Sequence, residues 1–221
     1  MSRIFVGTFL NNNLVEQIKL LKDSNHHLSD FWGKKFNFTS LEKLHLTWLF
    51  LGIVEKANLV KIHQGLETMI DNNQEEFIKN KAKLILSFDQ VEFWPNPQSP
   101  KTLVVTTNSL NDAVISLQSK IQRAIFPFIE PKVRDQALRP FKPHITIARF
   151  YSESNNISAK TKLAIKVNPN PKLPPKLNVN DIRLLRKVIP LELKLADLSI
   201  VESNLTNKKY STLAQLPLFI A

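Results

Sequence analysis

The chain has 221 residues and no cysteine, which excludes disulfides, thiolate zinc sites and a cysteine nucleophile. Hydrophobic residues make up 43% of it, ample material for a core, so a chain disordered throughout is excluded too. Lysine and arginine number 30 against 19 aspartates and glutamates, and the net charge of +11 attracts polyanions, RNA and DNA above all.

Arg3 to Leu10 (RIFVGTFL) reads as a strand, because β-branched and aromatic residues dominate it. Asn11-Asn12-Asn13 then offers a helix start, with Leu14, Ile18 and Leu21 on one face. Residues 36–40 form a loop or short strand. Leu44 to Gly52 (LHLTWLFLG) is a strand stopped by Gly52. Leu59, Ile62, Leu66 and Met69 or Ile70 fall on one helical face.

Lys83 to Phe93 reads as one strand, ended by Pro95-Asn96-Pro97, and Thr102 to Thr107 as its hairpin partner. Ser109, with Asp112 three residues on, is the expected cap of a helix faced by Leu110, Val114, Leu117, Ile121 and Ile125 and ended by Pro127. His144 to Tyr151 is a strand. NPNPKLPPK, residues 168–176, holds four prolines and reads as an exposed loop, and with NDIRLLRKVIPLE it looks like an insertion. Leu195 to Val201 and Tyr210 to Leu216 are late strands. The order of elements argues for an α+β fold with antiparallel or mixed sheets. The longest strongly apolar run, Leu46 to Val54, is about half a membrane span. The N-terminal apolar patch is too short for a secretory core. A cytoplasmic monomer without a membrane segment is expected.

Two of the five histidines share one local setting, in LHLTWLFLG and in KPHITIARF. Along a strand the side chains alternate faces, so His45 shares a face with Thr47, and His144 with Thr146. If both faces line one cleft, two imidazoles and two hydroxyls converge. That set suits a phosphate ester: a neutral imidazole takes a proton, a protonated one gives it, and the hydroxyls stabilise charge on phosphoryl oxygens. A single His-x-Thr is as readily a hydrogen-bonded core residue; the repetition favours chemistry. His26-His27 reads as a solvated helix terminus, and His63, within an amphipathic helix, as a surface or boundary residue. No carboxylate cluster supports a metal site, and no glycine-rich phosphate loop is present.

The paired motifs resemble those of the 2H phosphoesterase superfamily, and within it the RNA 2′,3′-cyclic phosphodiesterases first described as 2′-5′ RNA ligases. The resemblance spans RIFVGTFL, LEKLHLTWLFLG, FWPNPQSPKTLVV, LRPFKPHITIARF and LSIVESNLTNKKYSTL. It implies one α+β domain over residues 1–221, with two lobes related by a pseudo-twofold axis around a central cleft. It implies metal-independent, cofactor-free hydrolysis of RNA 2′,3′-cyclic phosphate ends to a 2′-phosphate. His45 and His144 would be the acid/base pair, and Thr47 and Thr146 would bind the phosphate. A 2′-5′ ligase, a phosphodiesterase of small cyclic nucleotides and a non-catalytic RNA-binding protein are the alternatives.

The resemblance also assigns contacts with the nucleobase to Phe50 and Arg149, each five residues after a histidine. Strand parity alone puts both on the opposite face, since five is odd. They reach the cleft only if the strand ends, bulges or twists. Otherwise Phe50 is core and Arg149 a surface ion pair. Trp48, where relatives carry an aliphatic residue, is expected in the core.

Overall fold

In the computed structural model the described residues are 2–23, 35–96, 100–129, 131, 134–151, 189–204, 206 and 209–219. Ten strands are found among them: β1 (Ser2–Phe9), β2 (Lys35–Phe38), β3 (His45–Gly52), β4 (Ile85–Phe88), β5 (Gln90–Trp94), β6 (Thr102–Thr106), β7 (His144–Tyr151), β8 (Leu191–Lys194), β9 (Asp197–Asn204) and β10 (Tyr210–Pro217). The helices that matter for the core are α1 (Asn12–Asp23), α2 (Lys56–Asp71), α3 (Gln74–Lys79) and α4 (Asp112–Ile125).

Seven strands run in the order β10-β9-β1-β3-β7-β6-β5, every neighbouring pair antiparallel, and β2 pairs with β7. The arrangement repeats about its centre. β1, α1 and β3 form one half, β6, α4 and β7 the other, and β3 meets β7 in the middle. That central contact is a single residue pair, Leu46 with Ile145. Beyond it the far half of β7 pairs with β2 instead, from Lys35–Tyr151 to Phe38–Ala148. The sheet therefore opens between its two halves, beside the histidines.

Local chemistry accounts for most boundaries. Asn11 caps α1 through its side-chain oxygen, which accepts from Leu14 N–H at 3.0 Å. Leu14 and Ile18 turn into the core behind it. The cap of α4 is Asn111, not Ser109: its side-chain oxygen accepts from Val114 N–H, while Ser109 N–H is still held in a turn by Thr107 Oγ1. α2 and α4 pack closely enough that a Cβ on Gly65 would lie 3.1 Å from the Ala124 carbonyl oxygen. Behind β3 the expected core position of Trp48 holds: it is buried, and its indole N–H donates to Thr8 Oγ1 at 2.9 Å.

The single strand expected over residues 83–93 is two. β4 pairs with β8 in a separate two-stranded sheet, and β5 pairs with β6. The buried side chains change phase between them, from Leu84, Leu86 and Phe88 to Phe93, with exposed Asp89 at the join. β8 begins in the last two residues, Leu191 and Glu192, of the segment expected to be an insertion, and its alternating burial shows that this end is part of the fold. The proline-rich residues 168–176 and the pair His26-His27 lie outside the described residues.

At Gly7, β1 crosses β3 with no room for a side chain. A Cβ there would stand 2.7 Å from the Leu46 carbonyl oxygen and 3.1 Å from the Phe5 ring. Gly7→Ala is expected to destabilise the protein by about 1–3 kcal/mol, the usual cost of forcing atoms into a packed strand. Urea unfolding checks this, and an unchanged midpoint would show that β1 can slide at no cost.

Candidate active site

The antiparallel contact of Leu46 with Ile145 fixes the register of the two motifs. Extended by one residue each way, it sets His45 opposite Thr146 and Thr47 opposite His144. Side chains directly opposite in such a pair stand about 4.5–5.5 Å apart, and diagonal ones roughly 7–8 Å. Leu46 and Ile145 point into the core and are fully buried. The four motif side chains therefore share the other face.

That face is the floor of a cleft of about 690 Å³. His45, Thr47, Phe50, His144, Thr146 and Arg149 all line it, with Phe5, Asn37, Ser40, Lys43, Ser203 and Tyr210 among the walls. Among the described residues, Lys43 and Arg149 are its cations and no carboxylate lines it. Among the described residues, no three histidine, aspartate or glutamate side chains group closely enough to hold a metal ion. A second, larger cleft, about 1080 Å³ around Lys81, Leu195 and Phe219, is lined by no histidine among the described residues.

Phe50 and Arg149 reach the cleft through matching bulges. On β1, Val6 pairs with Leu49 and Gly7 with Thr47, which leaves Trp48 unpaired. On β6, Leu103 pairs with Ala148 and Val104 with Thr146, which leaves Ile147 unpaired. Each bulge falls three residues after its histidine. Trp48 and Leu49 are both buried, as are Ile147 and Ala148, so the strand's phase advances by one. The fifth residue then shares the histidine's face.

Both imidazoles are oriented by the backbone two residues earlier. His45 Nδ1–H donates to the Lys43 carbonyl at 2.6 Å, and His144 Nδ1–H to the Lys142 carbonyl at 3.0 Å. A carbonyl only accepts, so each Nδ1 carries the hydrogen and each Nε2 is left to titrate. His45 stacks on Phe5 at 4.7 Å, with Phe9 and Tyr210 at 5.9 and 5.5 Å. His144 lies against Trp94 at 4.5 Å. Burial lowers both rings below the ordinary histidine value, and the Nδ1 hydrogen bonds only partly offset it. The charges of His144 and Arg149 lower His45 further; those of Lys142 and Arg149 lower His144. Burial raises Tyr210, against the pull of Arg149, which keeps its hydroxyl protonated.

Lys43, Lys142, Trp94 and Tyr210 were not among the expected site residues. The lysines carry a sequence signal, since both motifs read Lys-x-His-x-Thr. Trp94 and Tyr210 carry none, because only the folded sheet brings them to the histidines. His63 lies midway along α2, half-buried at the edge of the core as expected, 3.1 Å from Glu67, and does not line the cleft.

This fold with this motif pair is that of the 2H phosphoesterases. The family model of the AKAP7 2'5' RNA ligase-like domain matches residues 5–217, and the chain belongs to that family. A curated relative, the RNA 2',3'-cyclic phosphodiesterase of Archaeoglobus fulgidus, is 27% identical over 160 residues, covering 71% of this chain and 77% of its own. Among solved structures, TT0787 of Thermus thermophilus superposes with a TM-score of 0.60 at 19% identity, covering 98% of this chain and 97% of its own. E. coli LigT complexed with ATP gives 0.57 at 16%, covering 99% and 98%. At these identities the two structures establish the fold. Among the described residues no helix is long and apolar enough to cross a membrane.

Proposed function

We propose that this protein hydrolyses the 2′,3′-cyclic phosphate ends of RNA to 2′-phosphomonoesters, with residues 1–221 acting as one catalytic unit and no metal taking part. Water attacks phosphorus. The Nε2 of one histidine takes a proton from that water as the new P–O bond forms. The bond to the 3′-oxygen breaks, and the Nε2–H of the other histidine protonates it. The ribose keeps a 2′-phosphate and regains its 3′-hydroxyl. Thr47 and Thr146 donate to the non-bridging oxygens, and Arg149 and Phe50 hold the terminal nucleotide.

The observation that carries this reading is the convergence of two imidazoles and two hydroxyls in a cleft that, among the described residues, is lined by cations and no carboxylate. The phosphodiesterase from Archaeoglobus fulgidus supports the choice of substrate. The test is to incubate the protein with an oligonucleotide ending in a 2′,3′-cyclic phosphate, in excess EDTA, and identify the product by phosphorus NMR. A 2′-phosphomonoester is expected. Activity lost in EDTA and restored by one metal would overturn the two-histidine mechanism. The family's 2'5' RNA ligase-like description favours a second reading on the same atoms. A 5′-hydroxyl would replace water as nucleophile, with the same loss of the 3′-oxygen, and leave a 2′-5′ linkage.

The pH dependence has a defined sign. The reaction needs one histidine neutral and one protonated. Both rings are lowered from 6.5, mainly by burial, so the free protein holds that single proton only at lower pH. The bell-shaped profile of kcat/KM should therefore peak below pH 6.5. The bound phosphodiester is negative and favours imidazolium, so the kcat profile should lie to its alkaline side. Both limbs belong to the coupled pair rather than to single residues. A kcat/KM maximum on the alkaline side of the ordinary histidine value would contradict this.

A further inference from the structure

Each histidine is preceded two residues earlier by a lysine that engages it in two ways. The lysine's carbonyl accepts the Nδ1–H, and its ammonium stands over the aromatic ring that packs on the imidazole. Lys142 Nζ lies 5.0 Å from the centre of Trp94, and Lys43 Nζ 5.9 Å from that of Tyr210. On the His144 side a carboxylate closes the ring of contacts. Glu92, on β5 with Trp94, accepts from Lys142 Nζ at 2.8 Å and from the Trp94 indole N–H. Trp94 in turn lies 4.5 Å from the His144 ring. Burial raises the Glu92 carboxyl, but the hydrogen bonds from Lys142 and Trp94 and the Lys142 charge outweigh it and keep the group ionised.

We propose that Glu92, Lys142 and Trp94 form a clamp that positions His144 for proton transfer, and that the Glu92–Lys142 charge pair balances the field at its ring. The proposal rests on the reading of His144 as a proton-transfer group. The clamp works through contact. Trp94 is the wall against which the imidazole sits, and Glu92 fixes that wall from its far edge. Lys142 is tied at both ends, by its carbonyl to His144 and by its ammonium to Glu92 and the indole face. A loosened indole would let the imidazole swing while its Nδ1–H stayed bonded, and misplacing a reacting nitrogen is costly in rate. The charged or titratable groups facing His144 are Lys142 and Glu92 behind the ring, with His45, Arg149, Lys43 and Tyr210 lining the same cleft. The Lys142 charge disfavours imidazolium, and Glu92, bonded to that ammonium at 2.8 Å, is of the opposite sign and works against it.

The salt bridge is partly exposed, the side chains of Lys142 and Glu92 retaining 47% and 30% of their accessible surface, so breaking it should leave the fold intact. That separates positioning from structure. The experiment follows the ring protons of both histidines by NMR through a pH titration, for Glu92→Gln, Lys142→Met and the double variant, and measures kcat and KM alongside. Glu92→Gln leaves the Lys142 charge uncompensated and is expected to move the His144 midpoint down. Lys142→Met leaves Glu92 uncompensated and should move it up. The double variant should return close to the starting value, with His45 moving less throughout. Turnover of Glu92→Gln is expected to fall about tenfold at little-changed KM and melting temperature. Midpoints that stay put, or move the same way in both single variants, overturn the electrostatic part; unchanged kcat overturns positioning. If His144→Ala itself proved fully active, the proton-transfer reading would fall, while the NMR midpoints would still report on the clamp.

Discussion

Replacing either His45 or His144 by alanine should lower kcat by about 10²- to 10⁴-fold, the usual loss on removing a general acid or base. The expectation rests on tautomer and position together. Each Nδ1–H is committed to a lysine carbonyl, so each ring has one nitrogen left for proton transfer. Each sits opposite the threonine of the other strand, so one phosphate between the strands can meet both. KM should change by far less, because Lys43, Arg149 and the threonines still hold the anion. The double variant should be little worse than either single one, since a base without its acid partner has little to contribute. The rings also pack, His45 on Phe5 and His144 on Trp94, so thermal melts are needed beside the kinetics. His→Gln variants, which keep more of the volume, should lose as much turnover. Turnover near wild type in a folded variant would remove that histidine from the mechanism.

The shared face of His45 with Thr47, and of His144 with Thr146, was legible because strand alternation is a local property. The positions of Phe50 and Arg149 were not legible from parity, because a bulge is set by the partner strand. β1 lies some forty residues before β3, and its pairing decides that Trp48 is left over. Yet the sequence carried a trace of it. In TWLFL the polar–apolar alternation stops at Trp48-Leu49, and in TIARF at Ile147-Ala148, the two places where the phase advances. The same signal marks the break between β4 and β5, where the apolar residues shift from even to odd positions. The LELK of β8 alternates fully, and only the position of its first two residues, at the end of a stretch that follows the prolines, made them look like part of an insertion. What no local pattern could supply is the company of the histidines. Trp94 and Tyr210 arrive from strands whose neighbours are chosen by the whole sheet.

Thr47→Val and Thr146→Val should each cost on the order of 2–4 kcal/mol in kcat/KM, roughly 30- to 1,000-fold. The strand threonines divide into two kinds. Thr8 Oγ1–H donates to the Asp197 carbonyl at 2.7 Å and Thr106 Oγ1–H to the Pro143 carbonyl at 2.7 Å, so both hydroxyls are occupied in holding the sheet. Thr47 and Thr146 line the cleft, and their hydroxyls make no hydrogen bond among the described residues. Their hydroxyls are free to donate to an oxygen that gains charge as phosphorus becomes five-coordinate. Such a donor matters most at the transition state, where the charge is largest, so the loss should appear mainly in kcat. Valine keeps the branched shape and the strand preference, so stability should hold. Thr→Ser restores the donor without the methyl group and should recover most of the activity. That recovery separates a hydroxyl effect from a packing effect. If both valine variants keep their kcat/KM on a cyclic-phosphate dinucleotide, the threonines only shape the cleft and the phosphate is held by Arg149, Lys43 and the histidines.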